Sequence, residues 1–181
     1  MALRYAVLGL LSKEHLTGYD LTQKFHSHIS HFWNAHHTQI YRELQKLEKE
    51  GLVSYDLVQQ HERPDKKVYT LTDHGLQDLL GWMAEPPKPP SMKNETLLRV
   101  SLFHLIPPDQ AVQYLEASRQ THVEVLNAMK QWGELHLGSA DAPPSYELIG
   151  ETLTLDFGMR FIQTWIDWCD YAIRMFRSFP E

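Results

Sequence analysis

Cysteine is nearly missing from this chain of 181 residues: Cys169 stands alone, so no internal disulfide can form and the fold must rest on its core. Positive charge is also scarce. Seventeen lysines and arginines face 23 aspartates and glutamates, for a formal net charge of -6. That excludes a uniformly basic surface but leaves room for a local basic stripe. No apolar run is long enough to span a bilayer, and no charged-then-apolar leader precedes a small-residue cleavage site. A cytoplasmic protein with no membrane partner is expected. Catalytic signatures are lacking too: there is no glycine-rich phosphate loop, no GxSxG and no HExxH. Cys169 sits on an apolar helical seam without a basic activator, as a core residue would. Neither an enzyme nor a cofactor is expected. Histidine is the exception to this sparseness, with His26, His28, His31, His36 and His37 in HSHISHFWNAHH. The first three share no helical face well, and no thiol or carboxylate set completes a site, so no metal site is expected. Near nucleic acid, such a cluster would gain charge as pH falls.

What is present is organised around Asn34 to Gly51, NAHHTQIYRELQKLEKEG. Ile40, Leu44 and Leu47 recur at spacings of four and three and line one helical side. Thr38, Arg42, Gln45, Lys46 and Lys49 fall opposite, with Gln39 and Tyr41 on the flanks. Side chains of these types hydrogen-bond to phosphates and base edges. Asn34 is a candidate cap for the start, and Gly51 a candidate left-handed stop. Taken alone, the stretch fits a solvated amphipathic helix equally well.

Its neighbours decide between the two. Met1 to Glu14 is helical and apolar almost all round. Thr17-Gly18-Tyr19-Asp20 begins a second helix, with Thr17 as cap and Asp20 as its box partner. Leu21, Phe25 and Ile29 continue that apolar face. Three short helices, the last with a polar outer side, form a helix-turn-helix layout. After Gly51, Leu52 to Val58 and Lys67 to Leu71 read as two strands around a polar loop with Pro64-Asp65 as turn. Arg63, Lys66 and Lys67 make this wing locally basic. Thr72 starts another helix through Met83. Four prolines in Glu85-Pro86-Pro87-Lys88-Pro89-Pro90 then form a stiff linker.

Ser91 is a candidate cap for a short helix carrying Leu97, Leu98, Leu102 and Leu105. Pro107-Pro108 opens a longer helix through Trp132, and a loop separates it from a last helix beginning near Ser145. Leu148, Thr152, Leu155, Met159, Ile162, Ile166, Cys169, Ile173 and Phe176 form a heptad seam. A helix this apolar needs partners, so Leu155, Met159, Ile162, Ile166, Cys169, Ile173 and Phe176 are expected to dimerise. On the preceding helix, His122 interrupts an apolar stripe bordered by Arg119. A satisfied structural histidine is the simpler explanation. The sharper one is a ligand pocket, with Arg119 or His122 meeting an anion and Trp165 or Trp168 packing a ring. The expected fold is mainly α with a small β-hairpin: a winged helix-turn-helix over 1–84, a linker over 85–90, and a helical, coiled-coil-like dimerisation and effector domain over 91–181.

Several motifs together resemble the PadR family of transcriptional regulators. They are Tyr5-Ala6-Val7-Leu8-Gly9-Leu10-Leu11, Thr17-Gly18-Tyr19-Asp20, Gln39-Ile40-Tyr41 with Leu44, Leu47, Glu50, Gly51 and Leu52, and Tyr69-Thr70-Leu71-Thr72 with Gly75. The long helical C-terminal half resembles the larger subfamily. Phe32-Trp33-Asn34-Ala35-His36-His37 followed by Gln39-Ile40-Tyr41 resembles the members that repress phenolic acid decarboxylase. The resemblance implies a homodimeric repressor on an inverted-repeat operator in double-stranded DNA, released by a phenolic acid such as p-coumarate or ferulate. By position it assigns Tyr41 to the family's helix tyrosine, Tyr19 to a motif position, and Lys66 and Lys67 to its basic wing. Gln39, Arg42 and Gln45 suit base reading. Tyr41, Lys46, Arg63, Lys66 and Lys67 suit phosphates, and Thr38 and Tyr19 complete the DNA-binding set. Two other functions fit the same pattern: a multidrug-sensing repressor, and a winged-helix adaptor that binds protein instead of DNA.

Overall fold

The computed structural model describes residues 2–29, 33, 35–59, 65–87, 93–137 and 144–179. The chain divides into two compact units, Met1–Pro89 and Pro90–Glu181.

The first unit contains α1 (Ala2–Leu11), β1 (Leu16–Thr17), α2 (Gly18–Lys24), a π turn (Phe25–Ile29), α3 (His37–Lys49), β2 (Val53–Val58), β3 (Lys66–Leu71) and α4 (Asp73–Ala84). The apolar character of α1 follows from its position, because it packs against α2, α3, α4 and β3 together. Val7, Leu8, Leu21, Phe25, Ile40, Leu44 and Leu47 are sealed from solvent in one core. Burying a side chain of this kind contributes about 1.5–3 kcal/mol, so the core fixes how α3 is presented.

The winged hairpin has a third strand. β1 pairs antiparallel with β3 through Leu16↔Tyr69 and Thr17↔Val68, giving the order β1-β3-β2. Two residues are too few for alternation to be read from sequence. Thr17 does cap α2, its Oγ1 accepting the Asp20 N–H at 3.1 Å. The expected reciprocal box takes another form, with the Asp20 carboxylate accepting the Thr17 hydroxyl at 2.6 Å. Thr72 caps α4 through the Gly75 N–H, and its hydroxyl reaches the Gly51 and Leu52 carbonyls. One threonine thus joins the end of α3 to the start of α4.

The second unit contains α5 (Glu95–Val100), a 3-10 turn (Phe103–Leu105), α6 (Pro108–His136) and α7 (Ile149–Arg177). α6 and α7 have 29 residues each. They run antiparallel: Gly133 meets Leu155, Arg119 meets Asp170, and Glu116 meets Arg177. Phe103, Ala111, Leu115, Ala172 and Ile173 form a core at one end.

Several boundaries differ from the expected ones, three of them at helix starts. Asn94 caps α5, with its Oδ1 on the Leu97 N–H; Ser91 lies outside the described residues. α7 begins at Ile149, after a turn in which the Ser145 carbonyl accepts from Leu148 and Ile149. α3 begins at His37, and Asn34 lies outside the described residues, as do Lys88 to Pro90 of the linker.

Candidate nucleic-acid interface

α3 has the two faces its spacing implies. Ile40, Leu44 and Leu47 are buried, while Thr38, Gln39, Tyr41, Arg42, Gln45, Lys46 and Lys49 are exposed. At its start the chain turns on Gln39, whose Oε1 accepts the His36 backbone N–H at 2.9 Å. That leaves the Gln39 amide NH2 as its outward donor group. At its end Gly51 takes φ 71°, the left-handed conformation that stops a helix, and Leu52 N–H bonds back to the Leu47 carbonyl. Arg4 on α1 braces this end, with Nη2 2.9 Å from Glu50 and 3.4 Å from Asp78 on α4. The role of Arg4 was missed in the sequence because its partners lie on two other helices.

Beside α3 lies a cleft of about 470 Å³ lined by Thr17, Gly18, Tyr19, Asp20, Tyr41, Lys66, Lys67 and Tyr69. The start of α2, the outer face of α3 and the base of the wing meet there. Tyr41 crosses directly over Gly18: a Cβ on Gly18 would stand 2.5 Å from its ring. Tyr19 is 65% exposed. Burial, assisted by Glu48, Tyr55 and Tyr41, pushes the Tyr69 phenol up, although Lys67 opposes the shift. The hydroxyl stays protonated at neutral pH.

The two wing lysines differ. Lys66 is exposed. Lys67 turns to the other face of β3, where its Nζ is 3.6 Å from the Tyr55 ring centre and 3.4 Å from Glu48 Oε2 on α3. Partial burial would lower its pKa, but hydrogen bonds to Tyr55 and Glu48 prevail and hold it above the ordinary lysine value. Arg63 lies outside the described residues.

In the second unit, Arg119, His122, Trp165 and Trp168 do come together. His122 stacks on Trp165 at 5.2 Å and 18°, and its Nδ1 is 2.6 Å from the Ser118 carbonyl. Trp165 Nε1 reaches Ser118 Oγ at 3.3 Å and its ring meets Trp168 at 5.4 Å. Arg119 is held by Asp170 at 2.7 Å. Arg119, His122 and Trp165 therefore each have a polar partner inside the chain. The heptad seam is likewise closed within it: Leu155, Ile166, Cys169 and Ile173 are buried and Met159, Ile162 and Phe176 are half-buried. The exposed apolar residues of α7 are Ile149, Leu153, Phe157, Phe161, Tyr171 and Met175. Among the described residues no three histidine, cysteine, aspartate or glutamate side chains gather as metal ligands.

Residues 7–80 match the transcriptional regulator PadR-like family, and residues 92–177 match the virulence activator alpha C-terminal family. The negative transcriptional regulator PadR of Bacillus subtilis is 32% identical over 176 residues, covering 96% of each chain. The chain belongs to the PadR family of transcriptional regulators. The PadR fold is matched equally well. The structure of Bacillus subtilis PadR in complex with operator DNA aligns with TM-score 0.84 at 30% identity, over 97% of this chain and 99% of that one. The structure of the same regulator with p-coumaric acid aligns with TM-score 0.78 at 29% identity, over 98% and 100%. Relatives of this PadR-type chain are thus named as regulators, not as enzymes.

Proposed function

We propose that this chain is a cytoplasmic homodimeric repressor that binds an inverted-repeat operator and is released by a phenolic acid of the p-coumarate or ferulate type, controlling a phenolic acid decarboxylase. The observation that carries the reading is the near full-length match to a PadR solved with operator DNA. The polar outer face of α3, set beside the cleft at the wing base, supports it chemically. In this reading residues 1–84 bind DNA, 85–90 link, and 91–181 dimerise and hold the effector. No helix among the described residues is long and apolar enough to cross a membrane.

α3 enters the major groove. Arg42 and Gln45 read base edges, and Gln39 contributes its free amide NH2. Thr38, Tyr41, Tyr19, Lys46 and Lys66 follow the phosphates, with Arg63 adding positive charge to the segment between β2 and β3. Dimerisation uses the outer stripe of α7, namely Leu153, Phe157, Phe161, Tyr171 and Met175, together with the half-buried seam residues Met159, Ile162 and Phe176. The stacked His122 and Trp165 rings, with Trp168 tilted beside them, offer aromatic surface for an effector ring. Its carboxylate must share Arg119 with Asp170 or displace that aspartate. Release requires the effector to bind the DNA-incompetent geometry more tightly than the competent one.

A gel-shift titration tests the whole reading, using DNA upstream of the neighbouring or suspected decarboxylase gene with and without p-coumarate. A shift that the acid relieves is expected. A shift the acid leaves intact discards the phenolic effector. No shift by a folded protein discards the repressor.

A further inference from the structure

Lys67 sits in the basic wing, yet it is not disposed as a phosphate ligand. Its ammonium is turned onto the Tyr55 ring and toward Glu48, which belongs to α3 itself. Tyr55 is the β2 partner of Tyr69, two residues along the strand from Lys67, and so lies on the same sheet face. Three elements therefore meet at one charge: β3 supplies the cation, β2 the ring, and α3 the carboxylate. Lys66, one residue earlier, alternates to the opposite face and carries no such contact. Both lysines line the cleft, but only Lys67 is held by partners within the chain, a difference their sequence conceals.

We infer that Lys67, Tyr55 and Glu48 form a clamp that fixes the wing against the recognition helix, and that Lys67 acts on DNA as a positioning residue while Lys66 makes the phosphate contact. The inference rests on the DNA-binding reading above. An ammonium drawn between a ring face and a carboxylate is already partly neutralised, so it releases few counterions when DNA arrives. What it governs is the distance between the groove-reading helix and the wing. Specific DNA, which requires both to fit together, senses that distance; random duplex, bound through phosphates, senses it little.

The test uses the full-length protein and two labelled probes, the promoter duplex above and a random-sequence duplex of equal length. Lys67→Met keeps the stem over Tyr55 and removes the charge. It is expected to weaken promoter binding by roughly tenfold, the cost of one poorly fitted contact, and to leave the salt dependence on the random duplex unchanged. Lys66→Met is expected to weaken both probes and flatten the salt slope by about 0.9 for each phosphate lost. Glu48→Gln discriminates most sharply. If Lys67 were a phosphate ligand, losing Glu48 would free it and tighten binding. As a clamp member, Glu48→Gln weakens promoter binding, and the double variant with Lys67→Met is no weaker than either single one.

A flattened salt slope in Lys67→Met, tighter binding in Glu48→Gln, or additive losses in the double variant would overturn the inference while the repressor reading stood. If the wild type binds neither duplex, the repressor reading fails first. The clamp is then judged without DNA. Hydrogen exchange of the β2 and β3 amides must quicken in Lys67→Met and Glu48→Gln but not in Lys66→Met; equal protection in all three would overturn it.

Discussion

Gly18 and Gly75 both lack room for a side chain, but what they touch differs. A methyl at Gly18 would strike the Tyr41 ring, which is 41% exposed and free to swing outward. Gly18→Ala is therefore expected to change folding stability by less than about 1 kcal/mol while displacing Tyr41 and weakening DNA binding several-fold. A methyl at Gly75 would land on the Leu52 carbonyl oxygen and the Leu71 side chain, where backbone must yield. Gly75→Ala should cost about 3 kcal/mol, as overpacked sites do. Urea unfolding of both variants, set beside their gel shifts, checks the contrast; equal stability losses would refute it. Cys169 offers a third readout. Burial foremost, then Asp170, pushes its thiol up, against the pull of the Ser118 hydrogen bond and Arg119. The folded state thus holds this proton more tightly than the unfolded one, so its contribution is present below the ordinary thiol pKa and fades as pH rises through the raised value. Iodoacetamide should label Cys169 at neutral pH only as fast as the helices open, and rapid labelling of the folded protein would contradict this.

The two faces of α3 were legible because helical periodicity assigns burial residue by residue, and Ile40, Leu44 and Leu47 obey it. Arg42→Ala or Gln45→Ala should relax preference at particular base pairs by about 1–3 kcal/mol, measured by binding to a series of single-substituted operators. Lys46→Ala should weaken all of them alike. Periodicity could not show that Gln39 gives half its amide to the helix start, nor that Lys67 finds Glu48, since hairpin register sets the second contact across 19 positions of sequence. β1 was invisible for want of length, although the Thr17 cap at its end was plain. In α7 the apolar seam was readable, but a seam does not name the helix that covers it. Leu155 closes on Gly133 of α6, where the absence of a side chain makes space for it.

Each unit closes its own core, and Leu115 and Cys169 in the second are as inaccessible as Leu44 in the first. In the proposed homodimer, pairing then depends on the outer stripe of α7. Phe157→Glu with Phe161→Glu should yield a folded monomer by sedimentation, with operator affinity greatly reduced because one half-site contact no longer carries the other. A variant that remains dimeric would move the interface elsewhere. The inward closure of the α7 seam on α6 bears finally on inheritance. If the chain pairs as proposed, copies folded before they pair can trade partners without unfolding, so two alleles in one cell would mix. A copy with a ruined recognition helix but an intact α7 would poison its wild-type sibling, and its loss of repression would be genetically dominant.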